Sequence, residues 1–325
     1  MVKLSIIIPV YNVEEYITDC LNSLLDSSRK FSDKDIEIII VNDGSTDSSL
    51  KICNKFLKID TRFKLINQKN EGLSSARNTG IKHARGQFIS FIDSDDVVSL
   101  NYVTTILSAI NNNKFDILFF KYQRFADNTA IANRLISSGK SKFTKLSKYD
   151  AINGLTNDNI GSFAWNKVFN TQLFQNIRFP KGRYFEDIFT TYKLVDAASF
   201  FLQSNENLYY YRQREGSILH QEQIIEKRLR ILYDSIEARY RLFLYLKKKG
   251  SFTSQQENNY YLFNDCIHLI NTVYKNNCEN RYLSCLSFLK EYNFSIRRDG
   301  LKHIIILKLY MYAPKLYRLL IKKRR

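Results

Sequence analysis

Proline, tryptophan and paired cysteines are scarce in this chain. Its 325 residues include three prolines and one tryptophan, and its five cysteines form no Cys-x-x-Cys pair. So little proline argues against disorder or long proline-rich linkers. An odd number of cysteines without that spacing predicts reduced thiols, and it argues against a disulfide framework or a zinc site.

Long hydrophobic runs are also missing. No uncharged apolar stretch approaches the ~20 residues that a membrane-spanning helix requires. The apolar run near the start meets Pro9 after a few residues, which leaves too little room for the hydrophobic region and cleavage site of a signal peptide. We therefore expect a cytoplasmic protein whose active site faces the cytoplasm.

Positive charge is what the sequence has in excess. A net charge of +17 predicts attraction to nucleic acid, membrane headgroups or phosphorylated substrates. Residues 297–325 contain ten Lys or Arg and a single Asp, so more than half of the excess lies in this short segment. The distribution favours a basic appendage over a basic groove.

Apolar runs alternate with helical patterns over the first 120 residues. Alternating buried strands and helices predict an α/β fold with a mostly parallel, doubly wound sheet flanked by helices. No Gly-x-Gly-x-x-Gly follows the first strand, so the dinucleotide-binding fingerprint is missing. Strands are expected at 4–10, 36–41, 63–66, 88–92, 117–120 and 200–211, and helices at 14–25, 46–57, 73–84, 100–111, 185–198, 224–247, 255–274 and 281–292. The pattern divides the chain into an α/β domain (1–220), a helical region (221–300) and a basic tail (301–325).

Polar residues follow three of the predicted strands. Tyr11 and Asn12 follow the first, Asn42 and Asp43 the second, and the run Asp-Ser-Asp-Asp at 93–96, here called the Asp cluster, follows the fourth. Ligands of open α/β sheets bind outside the carboxyl ends of the strands. We therefore expect the three groups to converge on one crevice.

The Asp cluster places three carboxylates within four residues. Charges so close repel one another unless a cation lies among them. A Mg²⁺ or Mn²⁺ ion takes one or two protein carboxylates and completes its shell with phosphate oxygens and water. The alternative is an acidic turn that caps the next helix.

The residues around Asp43 allow two interpretations. Gly44 permits a tight turn, Ser45 or Thr46 can cap the following helix, and Asp47 suits its first turn. That structural account leaves out Asp43, which follows the strand directly. Its carboxylate could accept the ring N–H of a uracil base.

Four ordered motifs carry a family resemblance. They are Ser-Ile-Ile-Ile-Pro-Val-Tyr-Asn at 5–12, Val-Asn-Asp-Gly-Ser-Thr-Asp at 41–47, Asn-Glu-Gly-Leu-Ser-Ser-Ala-Arg-Asn-Thr-Gly at 70–80 and Phe-Ile-Asp-Ser-Asp-Asp at 91–96. Together they resemble glycosyltransferase family 2, whose members have the GT-A fold, over roughly residues 3–220. The resemblance implies a nucleotide-sugar donor and a divalent metal.

The resemblance also implies roles for individual residues. Arg77, Asp93 and Ser94 would hold the nucleotide, and Asp95, together with Asp93, would ligate the metal. Simpler alternatives are a structural ion pair for Arg77 and plain packing for Tyr11. The nucleoside site would be lined by Pro9, Tyr11, Asn12, Glu14 and Asp43.

A base must take the proton of the acceptor hydroxyl. The family's Glu-Asp pair occurs here as Glu186 and Asp187, at the start of a predicted helix, and by resemblance Asp187 is the base. Glu186 would orient it or contact the acceptor. Direct displacement assisted by one base implies inversion. The alternative is that both carboxylates merely complement the helix dipole.

Two further segments are candidates for ligand contacts. Trp165-Asn166-Lys167 could stack on a sugar ring and bind its hydroxyls, or Trp165 could be a core residue. The segment 209–218 resembles one common in single-addition members that act on capsular and exopolysaccharide precursors. Arg212 and Arg214 could clamp the diphosphate, and His220 could contact metal or phosphate, although a lone histidine is more often a surface residue. The Gln-x-x-Arg-Trp motif of processive members is absent, so single addition is expected.

The basic tail predicts one amphipathic helix over 301–323, kinked or broken at Pro314. A helical wheel places Ile305, Leu309, Ala313, Leu316 and Leu320 on one side, and Lys308, Lys315, Arg318 and Lys322 on the other. Such a helix can lie in an anionic membrane interface, or it can pack on the domain with a solvated face. A membrane position suits a lipid-linked glycan acceptor.

The sequence thus predicts an inverting, metal-dependent enzyme that transfers a hexose from a UDP-sugar to a lipid-linked oligosaccharide for a cell-surface polysaccharide. It would associate peripherally with the inner face of the cytoplasmic membrane. A nucleotidyltransferase of related fold would need a Gly-rich, Lys-bearing loop where residues 11–14 stand. A nucleic-acid-binding protein would spread its basic residues over one surface, and nucleic acid is not an expected partner. An inactive transferase-like scaffold would not be expected to keep Asp95 and Asp187.

Overall fold

The computed structural model describes residues 2–126, 141–157, 160–213, 225–276, 278 and 280–322. The chain forms two compact units. The first comprises Met1–Gly182 and Thr190–Leu219, and the second comprises Arg183–Phe189 and His220–Arg325. All five cysteines are free thiols.

The first unit is built on one sheet, to which the described residues contribute nine strands. Neighbouring strands follow the order β3-β2-β1-β4-β8-β6-β9-β5, with β7 paired to β9. The strands are β1 (Leu4–Val10), β2 (Ile36–Asp43), β3 (Phe63–Gln68), β4 (Phe88–Phe91), β5 (Val97–Val98), β6 (Ile117–Phe125), β7 (Phe143–Leu146), β8 (Lys167–Asn170) and β9 (Phe201–Arg212).

The sheet is mixed but mostly parallel, since its three longest pairings are parallel, and this confirms the predicted fold class. Strand β1 pairs in parallel with β2 and β4, β2 with β3, and β6 with β9. Every residue of β1 and β2 is buried, as expected of strands covered on both faces. Strand β8 is antiparallel to β4 and β6, and β5 and β7 are antiparallel to β9.

The helices of the first unit follow the predicted alternation. A hydrophobic core of β1, β2, β4 and β6 residues packs against α1 and α4. Helix α3 approaches β1 closely at Gly80, where a Cβ atom would lie 2.3 Å from Ile7 Cγ2. The helices are α1 (Ile17–Ser28), α2 (Ser49–Ile59), α3 (Leu73–His83), α4 (Tyr102–Asn112) and α5 (Lys148–Asn153).

The second unit is helical. Its core joins long helices through residues such as Ile236, Phe263, Leu269, Leu307 and Ile321. Helix α6 (Glu186–Ala197) begins among its residues. The other helices are α7 (Ile225–Lys248), α8 (Phe252–Lys275), a 3-10 segment (Asn280–Lys290), α9 (Ile296–Asp299), α10 (Leu301–Tyr312) and α11 (Pro314–Lys322). In the part of the chain that the structure describes, no helix has the length and hydrophobicity to cross a membrane.

The predicted break at Pro314 is confirmed, but one helical wheel does not describe the tail. Helix α10 ends at Tyr312 and α11 starts at Pro314, so the wheel restarts at the break. The tail packs on the core through Leu307, Tyr317 and Ile321. Its exposed apolar side chains, here called the tail face, are Leu301, Ile305, Tyr312, Leu316, Leu319 and Leu320.

Candidate active site

The carboxyl ends of β1, β2 and β4 lie side by side. Val10 is the register partner of Asn42, and Ile7 that of Phe91. The polar residues that follow these strands therefore lie along one edge of the sheet, as predicted.

Arg77 and Asp93 form an ion pair at this edge. Arg77 Nη2 lies 2.9 Å from Asp93 Oδ1. Arg77 is only 2% exposed, and its guanidinium lies over the rings of Phe91 and Phe179. Removing one partner of such a pair leaves an uncompensated buried charge. The arrangement thus fixes a cation beside the Asp cluster.

Strand β9 holds the Asp cluster through Asp96. Tyr209 Oη donates to Asp96 Oδ2 at 2.6 Å, and the Arg212 N–H donates to Asp96 Oδ1 at 2.7 Å. The Asp93 N–H in turn donates to Tyr209 Oη at 3.1 Å. Burial first, and then the nearby carboxylates of Asp95 and Asp93, raise the pKa of Asp96 well above its ordinary value. The sequence patterns assigned no role to Tyr209, because nothing local connects it to residues 93–96.

Asp93 and Asp95 are the carboxylates of the cluster that reach the surface. Asp93 is 24% exposed, and Asp95 is half-buried. Among the described residues, no three His, Cys, Asp or Glu side chains could together hold a metal ion. Two partly exposed carboxylates match the one or two protein ligands that a hard divalent ion takes when phosphate and water supply the rest.

Asp43 is buried and accepts three hydrogen bonds from the segment that leads into α3. Gln68 Nε2 and the Glu71 N–H donate to Oδ1 at 2.7 and 3.0 Å, and the Gly72 N–H donates to Oδ2 at 2.8 Å. A carboxylate has roughly four acceptor positions. Asp43 thus shapes the loop before Arg77, and three of its acceptor positions are occupied by this loop.

The predicted capping of α2 by Ser45 or Thr46 is wrong. Asp47 Oδ1 accepts from the Ser49 N–H, and Glu14 Oε2 accepts from the Ser48 N–H. The helix begins only at Ser49, and the hydroxyls of Ser45 and Thr46 accept hydrogen bonds from Asn12 instead.

Asn12 and Glu14 both connect the β1 loop to α2. Asn12 Oδ1 accepts from the Thr46 N–H at 2.8 Å, and Asn12 has a left-handed backbone with φ 48°. Of the other residues predicted to line the nucleoside site, Pro9 is buried within β1, whereas the Tyr11 side chain is exposed. Ser94 is buried in the Asp cluster.

Arg212 bonds to protein groups around the Asp cluster. Its Nε donates to the Asp95 carbonyl at 2.8 Å, and its Nη2 lies 3.0 Å from Asp19 Oδ2. The guanidinium lies over the rings of Tyr16 and Phe125. The other predicted members of this group, Arg214 and His220, fall outside the described residues.

The ligand-binding interpretation of Trp165-Asn166-Lys167 is wrong, because all three residues are buried. Trp165 stacks on Phe163 and Tyr209, with ring centroids 4.8 and 4.6 Å away. Lys167 Nζ donates to the carbonyls of Ile160 and Phe163 and to Asn166 Oδ1. The tripeptide is part of the core, which is the alternative that the sequence left open for Trp165.

Glu186 and Asp187 form the first turn of α6, as predicted, and belong to the second unit. Asp187 Oδ1 accepts from the Ile188 N–H at 2.7 Å. Its charge also acts on Arg239 of α7, whose pKa is lowered by burial, with Asp265, Tyr261 and Asp187 opposing that shift.

Comparison with known proteins gives a consistent family assignment. A family model described as glycosyl transferase family 2 matches residues 5–173. The chain is 37% identical over 224 residues to glycosyltransferase GlyA of Streptococcus pneumoniae, and this match covers 66% of the chain and 31% of GlyA. It is 31% identical over 229 residues to glycosyltransferase GlyG of the same organism, covering 67% of the chain and 73% of GlyG. The chain thus matches about a third of the length of GlyA.

A third relative, TarS of Staphylococcus aureus, is named as a poly(ribitol-phosphate) beta-N-acetylglucosaminyltransferase. It is 29% identical over 221 residues, covering 66% of the chain and 36% of TarS. The crystal structure of TarS 1–349 in complex with UDP-GlcNAc superposes with a TM-score of 0.59 at 22% identity, covering 95% of this chain and 91% of that one. This likeness shows a shared fold, and the predicted GT-A architecture is confirmed.

Proposed function

The chain belongs to glycosyl transferase family 2 and is a glycosyltransferase, and on that premise we propose that it moves a hexose from a UDP-sugar to a hydroxyl group with inversion at the anomeric carbon. The acceptor we propose is a lipid-linked oligosaccharide, a precursor of a cell-surface polysaccharide. TarS is named as an N-acetylglucosaminyltransferase, so UDP-GlcNAc is the first donor to test.

The pairing of Arg77 with Asp93 carries the donor half of the proposal. A buried guanidinium fixed beside two partly exposed carboxylates offers a cation for a diphosphate and ligands for a metal within one short segment. Asp96 and Tyr209 hold that segment from β9. Because these groups are in place before a ligand arrives, little reorganisation accompanies binding.

The fold family implies a Mn²⁺ or Mg²⁺ ion, which we place on Asp95 with Asp93 as the second candidate ligand. When bound, the ion would neutralise the charge that develops on the departing diphosphate. The residues fit this role because they offer two hard oxygen donors and leave the remaining ligands to phosphate and water.

For the nucleoside, we propose that the exposed ring of Tyr11 and the remaining acceptor position of Asp43 contact the base. Asn12 and Glu14 shape this region by joining the β1 loop to α2. Arg212 acts on the Asp cluster through the Asp95 carbonyl. Contacts of Arg214 and His220 with phosphate or metal remain predictions.

We propose Asp187 as the base that accepts the proton of the attacking hydroxyl, with Glu186 beside it. The first turn of a helix favours the ionised carboxylate, which is the form that can accept a proton. One base and direct displacement invert the anomeric centre, so an α-linked donor gives a β-linked product.

We also propose that the tail face binds the inner surface of an anionic membrane. Its apolar side chains are exposed beside Lys302, Lys308 and Lys315, which are exposed as well. Exposed apolar groups with flanking lysines suit the interface of an anionic bilayer. This position would bring the enzyme to a lipid-linked acceptor.

The proposal is tested by UDP release across a panel of UDP-hexoses with Mn²⁺, in the parent and in Asp187→Asn. We expect turnover of at least one donor. The variant should bind UDP as the parent does but lose most transfer to an added acceptor. Turnover of none of the donors would refute the donor assignment, and full transfer by Asp187→Asn would refute the base.

A further inference from the structure

A buried carboxylate of the second unit binds the turn that precedes Glu186 and Asp187. Arg183 Nη1 donates to Asp234 Oδ1 at 2.6 Å, and the Tyr184 N–H donates to Asp234 Oδ2 at 3.0 Å. Each oxygen of Asp234 thus holds one of two consecutive residues. Asp234 lies on α7, fifty residues further along the chain than Tyr184.

The contacts of Asp234 with Arg183 and Tyr184, here called the clamp, are reinforced by their surroundings. Asp234 is only 2% exposed, and a buried carboxylate is held strongly in the position where its charge is paired and its oxygens are bonded. Arg183 Nη1 lies 2.9 Å from Glu237 Oε2, one turn further along α7. The guanidinium of Arg183 also lies over the ring of Phe189.

The residue between the clamp and the carboxylate pair has a strained backbone. Phe185 has φ 58°, a left-handed conformation that side-chain-bearing residues rarely adopt. Such a conformation persists only where the surrounding contacts determine it, and it is common where a functional group must be held in place. Here the clamp fixes the two residues before Phe185, and α6 begins with the residue after it.

We propose that Asp234 is a positioning residue for sugar transfer, which fixes the turn that carries Glu186 and Asp187. This inference rests on the proposed function, in which Asp187 is the base. A base must lie within hydrogen-bond reach of the proton it removes, and a displacement of about 1 Å can lower the rate about 100-fold. The helical unit thus contributes to catalysis through α7 without Asp234 touching the substrate.

The test is the variant Asp234→Asn, which keeps the side-chain shape but removes the charge and one acceptor oxygen. We expect kcat for transfer to fall about 10- to 100-fold, while the KM for the donor and the affinity for UDP stay within twofold of the parent. General destabilisation would not produce such a split, because a smaller folded fraction lowers the apparent kcat and the number of UDP sites together.

The matched control is Glu226→Gln, the same acid-to-amide change on the same helix. Glu226 makes an exposed ion pair with Arg281 at 2.6 Å, so its kcat should stay within twofold of the parent. If Asp234→Asn does not fold, Arg183→Met replaces it. That variant removes one contact of the clamp, made by a side chain that is partly exposed. We expect a smaller fall in kcat than in Asp234→Asn, again with the donor KM and the UDP affinity unchanged.

The outcomes distinguish the positioning role of Asp234 from the proposed role of Asp187 as the base. A folded Asp234→Asn with parental kcat would overturn the positioning role, and so would an unfolded Asp234→Asn together with a folded Arg183→Met of parental kcat. If Asp187→Asn is inactive at the same time, the proposed base survives. If Asp187→Asn itself keeps parental kcat, the proposed function fails first.

Discussion

Tyr209 donates its hydroxyl hydrogen to Asp96 across 2.6 Å, and the two residues are 113 positions apart in the sequence. Burial first, and then the charge of Asp96, raise the pKa of Tyr209 well above its ordinary value. The hydroxyl therefore keeps its hydrogen, and this one bond joins β9 to the Asp cluster.

Tyr209→Phe should lower the free energy of unfolding by about 1–3 kcal/mol. It leaves a buried carboxylate oxygen of Asp96 and the Asp93 N–H without this partner. Urea denaturation measures the change. The control is Tyr149→Phe, at an exposed position of the same unit, where the change should stay within about 0.5 kcal/mol. Equal stabilities of the two variants would contradict the assignment.

Glu37 predicts a pH dependence of stability. Burial raises its pKa, but hydrogen bonds from Lys64, Ser5 and Arg85 outweigh burial, so its pKa is lowered from 4.5. A depressed pKa contributes stability above pH ~4.5, and this contribution is lost as the pH falls through the folded-state value. Glu37→Gln should cost about 1.5–3 kcal/mol at pH 7.

The cost of Glu37→Gln should shrink below pH 4.5, as measured by urea denaturation at several pH values. The control is Glu257→Gln, at an exposed position on α8, which should show little change at any of them. A cost for Glu37→Gln that stays constant down to pH 3 would contradict the ion-pair account.

Arg77→Met should weaken UDP binding at least tenfold, because it removes the buried cation of the proposed donor site and leaves Asp93 without that partner. Calorimetric titration with UDP and Mn²⁺ measures the effect. Arg77→Lys should recover only part of the affinity, since an ammonium lacks the planar fork of guanidinium. The control is Arg29→Met, which breaks an exposed pair with Asp26 and should bind UDP normally. Parental affinity in Arg77→Met would refute the nucleotide role.

The tail face should bind anionic vesicles. Co-sedimentation with phosphatidylglycerol vesicles should be strong at low salt, weaker at high salt, and weaker still with neutral vesicles. The combined change Ile305→Ser, Leu316→Ser and Leu319→Ser should reduce it at least tenfold. The control replaces Lys51, Lys55 and Lys58, the lysines of α2, with Gln. Unchanged binding after the serine changes, or tighter binding to DNA than to vesicles, would contradict the proposal.

Much of the first unit could be predicted from sequence because its parallel strands are continuous apolar runs. The predicted ends of β1, β2 and β4 lie within two residues of the observed ends. Strands β5, β7 and β8 have two to four residues each, too few for a period to show. Only pairing with β9, β4 and β6 makes them strands.

Some features of the candidate site could likewise be predicted from the sequence, and others could not. Its strand-end residues could be found because each follows a recognisable strand. Two contacts leave no local pattern because they join residues far apart in the chain: Tyr209 with Asp96 in the Asp cluster, and Arg183 with Asp234 before Glu186. The sequence leaves the place of Trp165 open for the same reason, because it stacks on Tyr209, a distant residue of β9.

The measurement that bears most directly on metal-assisted transfer at the Asp cluster is UDP release from UDP-GlcNAc and other UDP-hexoses, with Mn²⁺ and with excess EDTA. The enzyme should require the metal, and Asp95→Asn should lower kcat about 100-fold or more, because the ion would lose its principal ligand. Asp26→Asn, on a surface pair of α1, should match the parent. Undiminished turnover in EDTA, or parental activity in Asp95→Asn, would contradict the account.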